Sequence, residues 1–215
     1  SVFQNQNNIL YNLFNKIYKV LKTDFQYDSA TIKNFEKFGF SKSITIPESE
    51  INLINNKINL SKKRYLKNVT NYEFDNELKD LIKNLFIKNF KEVIKNFSKF
   101  YSSRIVVSHI KIFTNHGFDT DNYYFTYFKL FINLEDVNLK KGPLHFVPKS
   151  NTKNFLKITN YKNRYSYNEN NIENLLYKNT GKKGESVFVN TTQCIHRAGI
   201  PDIDQSRTIL LFHLN

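Results

Sequence analysis

The side chains that could hold a metal or an anion lie in the second half of the sequence: Asp119, Asp121, His116, His145, His196, His213 and Arg207. Asp119 and Asp121 are two residues apart, and on a strand such residues point to the same side. The plainer alternative is a pair of turn or cap carboxylates in a polar loop. His116 stands three residues before Asp119 and five before Asp121. A regular strand would turn it the other way; a bulge would bring it round, and an exposed loop histidine beside Gly117 is the simpler reading. Arg207 offers a planar fork that matches a carboxylate with two parallel hydrogen bonds. His213 shares its strand face six residues on, about 20 Å away at strand rise, outside any common site. His109 and His145 read as strand histidines with ordinary partners, and Cys194 as a small buried hydrophobe. Lys129, Phe131 and Asn133 share one strand face. That face either looks into a barrel, where Lys129 would meet a carboxylate, or is a mixed exposed face.

These residues need a scaffold. From Arg104 onward, the strand-like runs Arg104–Phe113, Tyr123–Leu134, Leu144–Val147, Ser186–Val189 and Thr208–Leu214 are separated by turn residues and predict a sheet-rich second half. The first third reads as helical, with Ile9, Leu10, Leu13, Phe14, Ile17, Val20 and Leu21 on one face. A helix around Thr31–Phe38 is expected to end at Gly39, followed by a strand over Phe40–Ile46 that Pro47 stops. Further helices are expected on Ile51, Leu53, Ile54 and Ile58, and from Asp75 to Phe97. Helices first and strands second predict an α+β fold, an antiparallel sandwich or barrel buttressed by helices. The polar, Asn-rich stretch Tyr161–Asn179 is expected to be a long surface loop or lid.

Composition sets the bounds. A chain of 215 residues without a Pro/Gly/Ser-rich linker fits a single domain, with 1–100 a mainly helical buttress and 101–215 the sheet core. The 20 Phe supply ample apolar material for that core. No apolar run reaches the roughly 18 residues of a membrane span, and no leader pattern opens the chain, so a cytoplasmic protein is expected. The absence of Met, even at position 1, implies that a start residue or tag was removed. The single Cys excludes an intramolecular disulfide and a zinc-ribbon or iron–sulfur centre. A net charge of +13 raises the question of a polyanionic partner. Yet only five of the 32 basic residues are Arg, the lysines are spread along the chain, and no recognition motif accompanies them. Nucleic acid is therefore not expected as a partner, and the oligomeric state is left open.

Two phrases carry a family resemblance. Phe128–Asn151, FKLFINLEDVNLKKGPLHFVPKSN, resembles the central segment of the phytanoyl-CoA dioxygenase-like family of iron(II)/2-oxoglutarate-dependent oxygenases, where a Leu-x-Asp-Val-like phrase leads through Gly-Pro to a Val-Pro-Gly-Ser-His-like one. Lys149 replaces the usual Gly there and Asn151 the usual His. Downstream, Gly184–Val189 resembles the turn and strand before the family's distal metal ligand, His196 follows at its place, and Arg207 comes eleven residues later. A weaker echo covers Phe38–Ile58.

The resemblance implies a double-stranded β-helix, a jelly-roll or cupin-like barrel, that uses Fe(II), 2-oxoglutarate and O2 to hydroxylate a small molecule. It makes His196 and Asp121 metal ligands and Arg207 the anchor of 2-oxoglutarate, with Lys129 a second cation toward the co-substrate. At the position of the family's first His this chain carries Asp119. Two carboxylates and one imidazole would form a harder, more anionic site, shifting preference toward manganese or magnesium. The departure keeps open an alternative: a non-catalytic or repurposed barrel that binds a small molecule, sugar or acidic partner. A basic nucleic-acid-associated protein is a third reading, resting on charge alone.

Overall fold

The computed structural model describes residues 34–35, 37–61, 63–66, 69–90, 100–109, 128–162, 166–168 and 170–214. The helix expected on Ile9–Leu21, the last turns of the one expected to reach Phe97, and the whole His116–Asp121 segment lie outside these residues.

Local sequence explains where the first elements begin and end. Gly39 takes φ +77°, a left-handed conformation that glycine adopts without a side-chain clash, and its amide bonds the Phe35 carbonyl at 2.8 Å to close a helical turn. Strand β1 (Phe40–Thr45) follows, and Pro47 leads into helix α1 (Glu48–Ile58). Glu48 and Glu50 in its first turn and Lys57 in its last complement the helix dipole. Ile51, Ile54 and Ile58 form its buried stripe. After β2 (Lys63–Leu66) and β3 (Val69–Tyr72), Asp75 caps helix α2 (Asn76–Phe90) by accepting the Leu78 amide at 2.7 Å. Glu50 ties the helices together, accepting from Lys88 Nζ at 2.6 Å and Asn89 Nδ2 at 2.8 Å.

The remaining strands are β4 (Phe100–His109), β5 (Phe128–Asn133), β6 (Leu144–Phe146), β7 (Tyr177–Lys178), β8 (Glu185–Asn190), β9 (His196–Ala198) and β10 (Ser206–Leu214). Helix α3 (Thr152–Thr159) lies between β6 and β7. A seven-stranded sheet has the order β1-β8-β5-β10-β4-β3-β2, and a three-stranded sheet the order β7-β6-β9. All pairings between these strands are antiparallel. Beyond β5 the chain moves back and forth: β8 and β10 join the large sheet, while β6, β7 and β9 form the small one.

Each face of the large sheet is covered by a different layer. Leu130, Ile132, Phe188, Leu210 and Phe212 pack outward against the isoleucine and leucine stripes of α1 and α2. Phe131, Val187, Val189, Ile209 and Leu211 pack inward against Leu144 and Phe146 of the small sheet. Because β10 is covered on both sides, Ile209–Phe212 is apolar at every position instead of alternating. Full burial of each such side chain is worth about 1.5–3 kcal/mol.

The first hundred residues are less purely helical than their periodicity predicts, since β1, β2 and β3 belong to the large sheet. β2 and β3 are four-residue strands at one end of that sheet, too short to show an alternating pattern. The Asn-rich stretch is likewise more anchored than a free loop. Ile172 is buried with Val147, Phe155 and Ile195, and β7 lies inside the stretch. No helix among the described residues is long and apolar enough to cross a membrane.

Candidate functional site

Arg207 lies on the same face of β10 as Ile209 and Leu211, so alternation directs it into the space between the sheets. It is only 3% exposed, with Nε and Nη1 shut off from solvent. Burial pushes its pKa down to about 10, while the nearby Glu135 carboxylate acts in the opposite direction. The guanidinium therefore keeps its charge at neutral pH, and a charge held in such a place favours an anion.

His196 approaches from the small sheet. It pairs in register with Phe146, and partners directly opposite on antiparallel strands share a face. Phe146 is fully buried between the sheets, so the half-buried His196 looks the same way. The loop before it is tightly held. Asn190 Oδ1 accepts from the Thr192 amide at 3.2 Å and the Thr192 hydroxyl at 2.7 Å, and the Cys194 amide donates to the Asn190 carbonyl at 2.8 Å. His196 Nδ1 then lies 3.2 Å from the Cys194 carbonyl oxygen. A carbonyl can only accept, so Nδ1 carries the proton and Nε2 keeps the lone pair that a metal requires. Orienting a histidine through its other nitrogen in this way is what metal ligation commonly needs.

One turn joins the two groups. Residues 199–205 connect β9 to β10, so His196 and Arg207 stand on either arm of a single excursion. Two glycines allow that turn to press against the start of β6: a Cβ on Gly199 would stand 2.1 Å from the Pro143 carbonyl oxygen, and one on Gly142 would stand 2.4 Å from the Pro201 nitrogen. The Gly199 amide donates to that same Pro143 oxygen at 3.0 Å. Arg207 is close enough to this strand pair for its charge to help lower the pKa of His145.

Glu135 was not legible as a site residue. Its Oε1 accepts the amide of Thr208, the residue after Arg207, at 2.7 Å, its Oε2 pairs with Lys141, and its charge acts on Arg207. It lies in the Leu134–Val137 phrase, where nothing in the sequence distinguishes it from a solvated carboxylate.

Lys129, Phe131 and Asn133 are 8%, 5% and 2% exposed, which decides for the inward-facing reading of their strand face. Lys129 nevertheless does not meet Arg207. Its partner across the ladder is His213, six residues along β10 from Arg207. At strand rise that sets the two cations about 20 Å apart along the sheet. The same register keeps His213 out of the site.

His145 faces away from the inter-sheet space, opposite Arg197 and Lys178. Its Nδ1 accepts from Arg197 Nε at 3.4 Å, and burial, followed by the charges of Arg197 and Lys178, lowers its pKa to about 4. Cys194 is buried, its thiol pushed up to about 12, and is inert as a nucleophile at neutral pH.

Asp119, Asp121 and His116 fall outside the described residues. Among the described residues no three His, Cys, Asp or Glu side chains converge as a metal cluster. What the described part offers is one imidazole with an oriented lone pair and one buried guanidinium. That donor set fits a divalent metal completed by oxygen ligands, together with an anionic chelator.

No protein-family model matches the sequence, and no curated protein matches it. Its structure does resemble solved ones. HygX from Streptomyces hygroscopicus, with nickel, 2-oxoglutarate and hygromycin B bound, superposes with a TM-score of 0.62 at 10% identity, over 87% of each chain. SnoN, a non-heme α-ketoglutarate-dependent epimerase from nogalamycin biosynthesis, gives 0.57 at 13% identity, over 86% of this chain and 81% of its own. EvdO2 from Micromonospora carbonacea var. aurantiaca gives 0.56 at 13% identity, over 88% of this chain and 91% of its own. Likeness at these identities establishes a shared fold, and function must be argued from the site.

Proposed function

We propose that this chain is a metal- and 2-oxoglutarate-dependent oxygenase that hydroxylates a small molecule, built on a double-stranded β-helix of the phytanoyl-CoA dioxygenase-like kind. The observation that carries this reading is the approach of Arg207 from the large sheet and His196 from the small one, on the two arms of one turn. The movement of β5–β10 between the sheets supports the β-helix. HygX and SnoN, which share the fold, are respectively bound to and dependent on the proposed co-substrate.

In this reading His196, Asp121 and Asp119 hold the metal, iron(II) by the family pattern, and the second carboxylate shifts the site's preference toward manganese or magnesium. Bound together, metal and 2-oxoglutarate supply the oxygen activation. The chain does the rest. Arg207 receives the far carboxylate of 2-oxoglutarate through its guanidinium fork. The Cys194 carbonyl keeps His196 in the tautomer that ligates. Phe146, Phe131 and Leu211 line an apolar interior that limits water near the site.

The direct test is succinate formation from 2-oxoglutarate under iron(II) and oxygen. Turnover in the wild type that disappears in His196→Ala supports the reading, and absence of turnover in the wild type contradicts it. One sequence feature favours the second reading, a repurposed binding barrel: Asp119 at the position where the family carries His. Asp119→His separates the two. An inactive wild type whose variant gains iron(II) affinity and turnover marks a barrel that has lost its chemistry. An active wild type that loses turnover in the variant marks Asp119 as a specialised ligand.

A further inference from the structure

Thr208 follows Arg207 on β10, at the place where pairing with β5 runs out. The register between the two strands ends at Ile209 opposite Asn133, and the Leu134 amide still donates to the Thr208 carbonyl at 3.1 Å. The chain then turns away through Glu135–Val137, and the next acceptor in the ladder is a side chain: Glu135 Oε1, 2.7 Å from the Thr208 amide. Its Oε2 pairs with Lys141 in the 3-10 turn Leu139–Lys141, whose own start is held by Asn138 Oδ1 accepting the Lys141 amide at 3.2 Å. Glu135 thus does two things at the level of Arg207. It extends the sheet by one hydrogen bond, and it places a negative charge near the buried guanidinium.

We propose that Glu135 is a positioning residue for the co-substrate: its hydrogen bond keeps the Arg207 end of β10 in register, and its charge moderates the attraction of Arg207 for an anionic ligand. The inference rests on reading Arg207 as the anchor of 2-oxoglutarate. The offset that the Glu135 charge provides against burial of Arg207 agrees with it. A bound dicarboxylate meets the same Glu135 field before and after reaction, so moderation also favours release of the co-product. An amide can make the hydrogen bond but carries no charge, so Glu135→Gln isolates the electrostatic part, while Glu135→Ala removes both.

The experiment is calorimetric titration of 2-oxoglutarate into the full chain loaded with nickel(II), a redox-inert stand-in, alongside thermal unfolding. Glu135→Gln should unfold at nearly the wild-type temperature and bind 2-oxoglutarate about tenfold more tightly, the scale of one charge roughly 12 Å from the ligand at an effective dielectric of about 20. Glu135→Ala should unfold about 2–6 °C lower, and bind less tightly than the Gln variant. Equal affinity of wild type and Glu135→Gln overturns the electrostatic role, and identical behaviour of the Ala and Gln variants overturns the positioning role. A wild type that binds no 2-oxoglutarate overturns the co-substrate reading and this inference with it, a result distinct from either.

Discussion

His196 Nδ1 points at the carbonyl oxygen of Cys194, 3.2 Å away, and Cys194 is itself locked in place by its buried Sγ, 3.5 Å from the Gly39 carbonyl oxygen. The proposed metal ligand is therefore oriented from behind by the core. Replacing His196 with Ala should reduce divalent-metal affinity by at least about 100-fold, with stability changed by no more than about 1 kcal/mol, because the imidazole is only half-buried. Metal titration and urea unfolding of the same variant check the two halves.

Gly39 provides a test of that support. A Cβ there would stand 2.5 Å from Cys194 Sγ, in a backbone of φ +77° that L side chains rarely adopt. Gly39→Ala should cost about 2–4 kcal/mol, combining the left-handed strain with overpacking. In a Cys194→Ala background the cost should shrink, since the clash is removed and only the strain remains. Chemical denaturation of the four proteins in this double-mutant cycle measures the difference.

The two buried cations should behave differently. Arg207→Lys retains a charge but loses the fork, and should weaken 2-oxoglutarate binding about 10- to 100-fold. Lys129→Met, about 20 Å along the strands, should leave that affinity unchanged. Calorimetry on both variants checks the assignment; equal losses would mean that the register argument for separating them fails.

Much of the scaffold was legible because its signals are local. Gly39, Pro47 and the Ile51/Ile54/Ile58 stripe announce a cap, a strand end and a helix face, and the structure has all three. The strand-like run at Thr208–Leu214 announces a strand, and β10 spans it. β2, β3 and α3 were not legible, since four to eight residues are too few to display a period. In the site, His196 and Arg207 stand out through the resemblance to the oxygenase family. Glu135 does not, because its role depends on where β5 stops relative to β10, a property of the sheet and not of any short phrase. The separation of Lys129 from Arg207 has the same origin: face is readable from alternation, whereas level along the sheet needs the register.

His145 gives the chain a specific acid response. Its pKa in the folded protein, about 4, lies below the ordinary 6.5, so folding holds the imidazole neutral. The stability this represents is fully present above pH 6.5 and is lost as pH falls from there toward 4. The loss should be on the order of 1 kcal/mol after allowance for solvent screening at a half-buried site. His145→Gln should flatten this part of the curve, as read from urea midpoints at neutral pH and near pH 4.5.

The central claim is that one chain binds a metal and 2-oxoglutarate together, and thermal unfolding without oxygen tests it most directly. Iron(II) or manganese(II) should raise the midpoint, and 2-oxoglutarate should raise it further only when the metal is present, because the oxo acid needs both the metal and Arg207. At about 100 times the dissociation constant, each ligand should add about 2.7 kcal/mol, or roughly 5–11 °C for a chain of this size. A midpoint unmoved by millimolar metal, 2-oxoglutarate or both would contradict the account and leave a barrel with some other ligand.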